Sequence, residues 1–273
     1  MNGKQLKISI LQEAIQGRLV PQDPNDEPAS VLLERIRAEK AKLVKEGKIK
    51  KNALRDSLIY RGEDNKYYER SGKTITCIDK EIPFEIPKSW EWVRLGNIVS
   101  ISIGKTPERD RPAFWSNGIY NWVAIADMIG GGIINSTKEK VSQIAADKCF
   151  GPITPAGSLI MSFKLTVGRT SILGIDAYHN EAIVTLRPYL DINNSFRNYL
   201  FHVMPKIANT GDVKEAIKGK TLNSKSIFNL LLPLPPLSEQ HRIVAKLEEL
   251  FRVIKQLPQG QCQSNDQSLE IYS

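Results

Sequence analysis

Apolar positions recur every three to four residues at both ends of the chain and fall in short, dense runs through its middle. Leu6, Ile10 and Ala14, with Leu11 and Ile15 beside them, line one face of a helix. The stretch from Pro21 to Pro28 cannot continue that helix, because its three prolines lack an amide donor. Helix formers resume from Ala29 to about Lys51, where Leu32, Ile36 and Leu43 make an apolar seam. The Arg, Lys and Glu residues around that seam read as a solvated face.

From Gly62 to Lys88 the sequence turns polar and aromatic, with Tyr67, Tyr68, Pro83 and Pro87, and predicts an extended connector lying on a globular body. Trp90–Leu95, Val99–Ile103, Ser158–Phe163 and Ala182–Leu186 read as short strands between Gly and Pro turns, and helical spacing returns at Phe196–Ile207. The body is therefore expected to be α+β, mixed and β-rich, with no internal repeat. Pro233-Leu234-Pro235-Pro236 closes it, and Ser238 stands where an N-cap belongs before the run Glu239–Leu257. Ile243, Leu247, Leu250, Ile254 and Leu257 alternate steps of four and three, the seam of a coiled-coil-forming helix. The expected cover is Leu6–Leu19 or Leu32–Leu43, from the same chain or a second copy, and the proline hinge favours a projecting helix. Residues 258–273 read as a disordered tail.

A formal charge of +8 and a pI near 9.3 suit a polyanionic partner. No apolar run reaches membrane-spanning length and the first residues lack the core of a signal peptide, so the expected location is the cytoplasm. Three widely spaced cysteines supply neither a disulfide framework nor a CxxC knuckle; Cys77 and Cys149 read as small core residues and Cys262 as an exposed thiol.

Catalytic signatures are sparse. Nothing matches Gly-x-x-x-x-Gly-Lys-Ser/Thr, and Gly130-Gly131-Gly132 is a turn without that spacing. Pro235-Pro236 follows Leu234, not the Asn or Asp of a base-gripping methyltransferase motif. Glu46-Gly47-Lys48 imitates a nuclease triplet but closes a charged helix, and His179, His202 and His241 are too dispersed for a metal site. No catalytic residue, metal or cofactor is expected. What remains is three basic segments with hydroxyl and amide side chains, able to bind phosphates or read base edges. Lys105, Thr106, Arg109 and Arg111 lie in the first; Lys164, Thr166 and Arg169 in the second; Lys214, Lys218, Lys220, Thr221 and Asn223 in the third. Trp90, Trp92, Trp115 and Trp122 read as core and turn-packing residues, and Asp127 as a turn cap or the partner of a basic side chain.

Gly104-Lys105-Thr106-Pro107, then Trp115-Ser116-Asn117-Gly118, Trp122 and Asp127-Met128, resembles the opening of a type I restriction-modification target-recognition domain. The run from Pro233 to Leu247 resembles that family's junction to its spacer helix, and Leu19–Ala29 is similar to a stretch found in many specificity subunits. The resemblance implies a subunit that binds double-stranded DNA and directs methyltransferase and restriction/translocase subunits to it. It divides the chain into an N-terminal helical segment (1–62), a target-recognition domain with its connector (63–235), a spacer helix (236–257) and a tail (258–273). Family members carry two recognition domains, so one domain implies a half-length form that pairs with a second copy or another specificity subunit. A shortened, pairing-only fragment and a self-sufficient nuclease or methyltransferase are the competing readings.

Overall fold

The computed structural model describes residues 3–209, 214–216 and 219–256, so Lys218, Leu257, Cys262 and the 258–273 tail lie outside the described residues. Helix α1 (Gly3–Ile15) and helix α2 (Ala29–Lys45) follow the predicted break. α2 stops before Lys51 because Gly47, at φ +70°, reverses the chain and lets the Lys48 amide close back on the Leu43 carbonyl at 2.9 Å. Glu46 and Lys48 pair with each other at 2.8 Å beyond that end.

The first part of the predicted Gly62–Lys88 connector instead forms β2 (Tyr67–Ser71) and β3 (Thr74–Cys77), which join β1 (Ser57–Arg61), a strand at the end of the segment expected to be helical, in an antiparallel meander. Asn65 and Gly72, both at positive φ, supply the two reversals, a turn signal that the polar composition masked. Cys77 sits on the outer strand and is exposed, not in the core as expected, while Cys149 is half-buried. Arg94 ties the meander to the body: buried, it donates to both Glu69 carboxylate oxygens, to Glu81 and to the Asn229 carbonyl.

The body runs through β4 (Glu91–Arg94), α3 (Leu95–Ile98), β5 (Val99–Ile103), α4 (Pro112–Trp115), β6 (Tyr120–Val123), β7 (Gly132–Ile134) and β8 (Glu139–Val141). Next come α5 (Gln143–Cys149), β9 (Leu159–Ser162), β10 (Lys164–Leu165), β11 (Thr170–Leu173), β12 (Ala177–His179) and β13 (Ile183–Pro188). The chain then forms α6 (Ser195–Ile207), β14 (Lys214–Ala216), β15 (Gly219–Thr221), α7 (Ser224–Phe228), β16 (Leu231–Leu234) and α8 (Leu237–Gln256). The principal sheet has the order β5-β13-β9-β11-β7, antiparallel except for the final β11–β7 pair, and a smaller sheet has the order β12-β6-β8. β16 carries Pro233 opposite Trp92 of β4 in a two-stranded ribbon, where a residue without an amide donor is tolerated.

One hydrophobic core joins the helices at both ends of the chain to the body: Ile15, Leu32, Ile36, Met161, Val184, Tyr199, Leu200, Val203, Ile243 and Leu247 belong to a single cluster. The projecting-helix expectation is thereby corrected. α8 packs on α1 and α6 of its own chain, burying Ile243, Leu247 and Ile254 and leaving Leu250 half-buried. α6, whose apolar stripe lies in the middle of the sequence, was not among the expected partners. α8 also begins at Leu237, so Ser238 lies in its first turn and is not its cap. No helix among the described residues is long and apolar enough to cross a membrane.

Candidate nucleic-acid interface

The first basic segment is seated on the β12–β13 connection by backbone. The Gly104 amide donates to the Ile183 carbonyl at 3.1 Å, and the Lys105 amide donates to His179 at 2.9 Å. The approach is so close that a Cβ on Gly104 would lie 2.0 Å from the His179 carbonyl oxygen. Two indoles clamp the segment further, Trp122 donating to the Lys105 carbonyl at 3.1 Å and Trp115 to that of Glu108 at 3.0 Å. The tryptophans thus pack turns, as expected; Trp90, Trp92 and Trp122 are buried and Trp115 is half-buried.

This packing engages most of the segment's expected DNA ligands. The Arg109 guanidinium lies 4.0 Å from the Trp115 ring centre and 4.7 Å from that of Trp122, and it bonds Glu139 at 3.1 Å. Arg111 lies over Phe114 at 4.6 Å and pairs with Glu108 at 3.8 Å. Thr106 donates its hydroxyl to Glu181. Lys105 remains exposed.

The second and third basic segments, some fifty residues apart, are strands of one sheet with the order β10-β15-β14. Lys164 and Lys214 both stand opposite Thr221, on its two sides, and Leu165 stands opposite Lys220. For Lys214, Lys220 and Thr221 the strand positions are what is described. Thr166 has its hydroxyl 3.4 Å from that of Ser162, and half-buried Arg169 donates to the Met128 carbonyl at 3.4 Å. Asn223 caps α7, its side-chain oxygen accepting from the Ser226 amide at 2.8 Å.

Glu181 links these segments, and sequence reasoning missed it because a lone acid carries no spacing signal. The Phe163 amide bonds Ala182 at 2.9 Å and the Leu222 amide bonds Phe163 at 2.9 Å, which brings all three segments together. Partial burial pushes the Glu181 carboxyl up, but the Thr106 hydroxyl and the charges of Lys164 and Arg109 outweigh it and hold the carboxyl below its ordinary value. Glu181 thus lies between the first and second basic segments, bonded to Thr106 of one and facing the Lys164 charge of the other.

The other candidates have structural positions. His179 is buried with Nε2 2.8 Å from the Thr185 hydroxyl, and burial lowers its pKa to about 4. Among the described residues no group of three or more His, Cys, Asp or Glu gathers to hold a metal. Asp127 caps a turn, accepting from the Ala124 amide at 2.9 Å and from Lys138 at 3.2 Å.

A separate polar joint connects the two outer motifs. Glu239, buried in the first turn of α8, accepts from the Trp90 indole at 2.8 Å and from Gln22 at 2.5 Å, while Arg242 pairs with Asp26 at 3.1 Å. Burial raises the Glu239 carboxyl against the opposing donation from Trp90 and Gln22. The run from Pro233 to Leu247 and the run from Leu19 to Ala29 are therefore two halves of one junction.

Comparison with known proteins gives a consistent match. Residues 87–261 match the family described as type I restriction modification DNA specificity domain. The Type I restriction enzyme EcoAI specificity subunit of Escherichia coli is 33% identical over 268 residues, covering 92% of this chain and 40% of that protein. The EcoEI specificity subunit of Escherichia coli is 32% identical over 278 residues, covering 96% and 41%. This chain thus spans about two fifths of the length of these relatives. The crystal structure of the HsdS subunit from Thermoanaerobacter tengcongensis aligns with 96% of this chain and 54% of its own, at 17% identity and a TM-score of 0.48.

Proposed function

Because this chain belongs to the type I restriction-modification DNA specificity family, we propose that it binds double-stranded DNA in a sequence-dependent way through the surface made by its three basic segments. The observation that carries this reading is their convergence: the 104–111 and 162–169 segments flank Glu181, and the second segment joins residues 214–216 and 219–223 through the β10-β15-β14 sheet and the Leu222–Phe163 hydrogen bond. Lys105 and Lys164, with the strand positions of Lys214 and Lys220, are the proposed DNA contacts. Thr106, Arg109, Arg111 and Asn223 shape the loops that present them. The chain itself performs no catalysis and uses no cofactor in this reading. Methylation and cleavage belong to partner methyltransferase and restriction/translocase subunits, in the cytoplasm.

The test is duplex binding followed by fluorescence anisotropy across a salt series, with and without a methyltransferase subunit. Each phosphate contact contributes about 0.9 to the slope of log affinity against log salt. Lys105→Ala and Lys164→Ala should each reduce the slope by about one contact, whereas Arg109→Ala should act first on folding stability. A flat salt response would remove the DNA surface.

A further inference from the structure

Leu165 stands at the tip of the second basic segment, 53% exposed, with φ +68°. The Thr166 amide donates to the Lys164 carbonyl at 2.8 Å, which makes Leu165 the centre of a three-residue turn of the strained, positive-φ kind. Glycine takes that conformation freely; a leucine there costs free energy, and at this exposure the side chain recovers little of it by burial. The turn is nevertheless firmly rooted. Phe163 and Leu222 on its two sides are buried in the main core, the Gly168 amide closes on the Ser162 carbonyl at 2.9 Å, and β15 pairs along its edge. A rigid base thus presents one apolar side chain, between Lys164 and Thr166 and opposite Lys220, on the surface assigned to a polyanion.

We propose that Leu165 is a specificity-determining residue that contacts the 5-methyl group of a thymine in the major groove. The inference rests on the DNA-binding reading given above. Apolar contact is how a side chain without donors or acceptors distinguishes thymine from the other bases, since the methyl is the one apolar group on a base edge there. Flanking lysines suit the phosphates on either side of such a contact.

The experiment uses the chain assembled with its methyltransferase subunits. Binding-site selection from a random duplex library defines the preferred site, and each thymine in it is then replaced by deoxyuridine, which lacks only the methyl. Wild type should lose about fourfold in affinity at one thymine, the value of burying one methyl-sized group. Leu165→Gly, which suits the turn, and Leu165→Asn, which tolerates it, should fold normally, keep the salt slope and bind the thymine and deoxyuridine sites equally. Retention of the discrimination in both variants, or a wild type insensitive to deoxyuridine at every position, would refute the Leu165 contact while leaving DNA binding intact. Absence of salt-dependent binding by the wild type to any duplex would overturn the DNA reading itself, and this contact with it.

Discussion

Replacing Glu239 tests the joint between the two outer motifs. In Glu239→Leu the side-chain volume is nearly kept, but the Trp90 indole N–H, on a side chain only 3% exposed, loses the acceptor 2.8 Å away. A buried donor left without a partner costs about 1–3 kcal/mol. Gln22 is exposed and its amide can return to water, so it adds little. Removing a carboxylate that burial already disfavours offsets part of the loss. The balance is a destabilisation of about 2 kcal/mol, or roughly 4–8 °C in Tm for a chain of this size. Glu239→Gln keeps an oxygen for the indole and should cost under about 1 kcal/mol. Urea unfolding followed by far-ultraviolet circular dichroism reads both values. Equal stability of Glu239→Leu and wild type, or equal loss in the Leu and Gln variants, would show that the indole acceptor is not what holds the joint.

Three further perturbations follow from the same geometry. Lys40, fully buried, bonds Asp56 and the Asn97 carbonyl; Lys40→Met should cost about 3 kcal/mol by stranding the carboxylate, and Asp56→Leu added to it should recover much of that in equilibrium unfolding. Gly104→Ala should destabilise by roughly 3 kcal/mol in a thermal melt, because its Cβ would meet the backbone oxygens of His179 and Asn180 as well as the buried His179 ring. His179 has its folded pKa lowered to about 4 from an ordinary 6.5; the unfolded chain therefore binds the extra proton first as pH falls. Stability from this group is complete above pH 6.5 and is lost toward pH 4, by about 3 kcal/mol, and His179→Gln should flatten that window in pH-dependent unfolding.

The element types were legible in the amino-acid order because they rest on local periodicity. The seams at Leu6–Ile15, Leu32–Leu43 and Ile243–Ile254 became helices α1, α2 and α8, and the dense runs at Val99–Ile103 and Ile183–Leu186 became paired strands. The family was legible too, from short motifs in a fixed order. The meander at Ser57–Cys77 was missed because β3 is exposed throughout and β2 carries polar residues over its second half, so the short apolar run of β1, with Ile59 buried, had no alternating partner to mark it.

Tertiary structure alone decided what each face meets. Periodicity says that one side of α8 is apolar, but only the fold shows that α1 and α6 of the same chain cover it. A basic side chain looks free in the sequence; packing placed Arg109 over Trp115 and against Glu139, and drew Lys40 of a charged helix face into the core. The candidate surface likewise exists because hydrogen bonds through Phe163, Ala182 and Leu222 close loops across long stretches of chain. Such pairings depend on the shape and partners of distant segments, and the spacing of residues within any one segment carries no record of them.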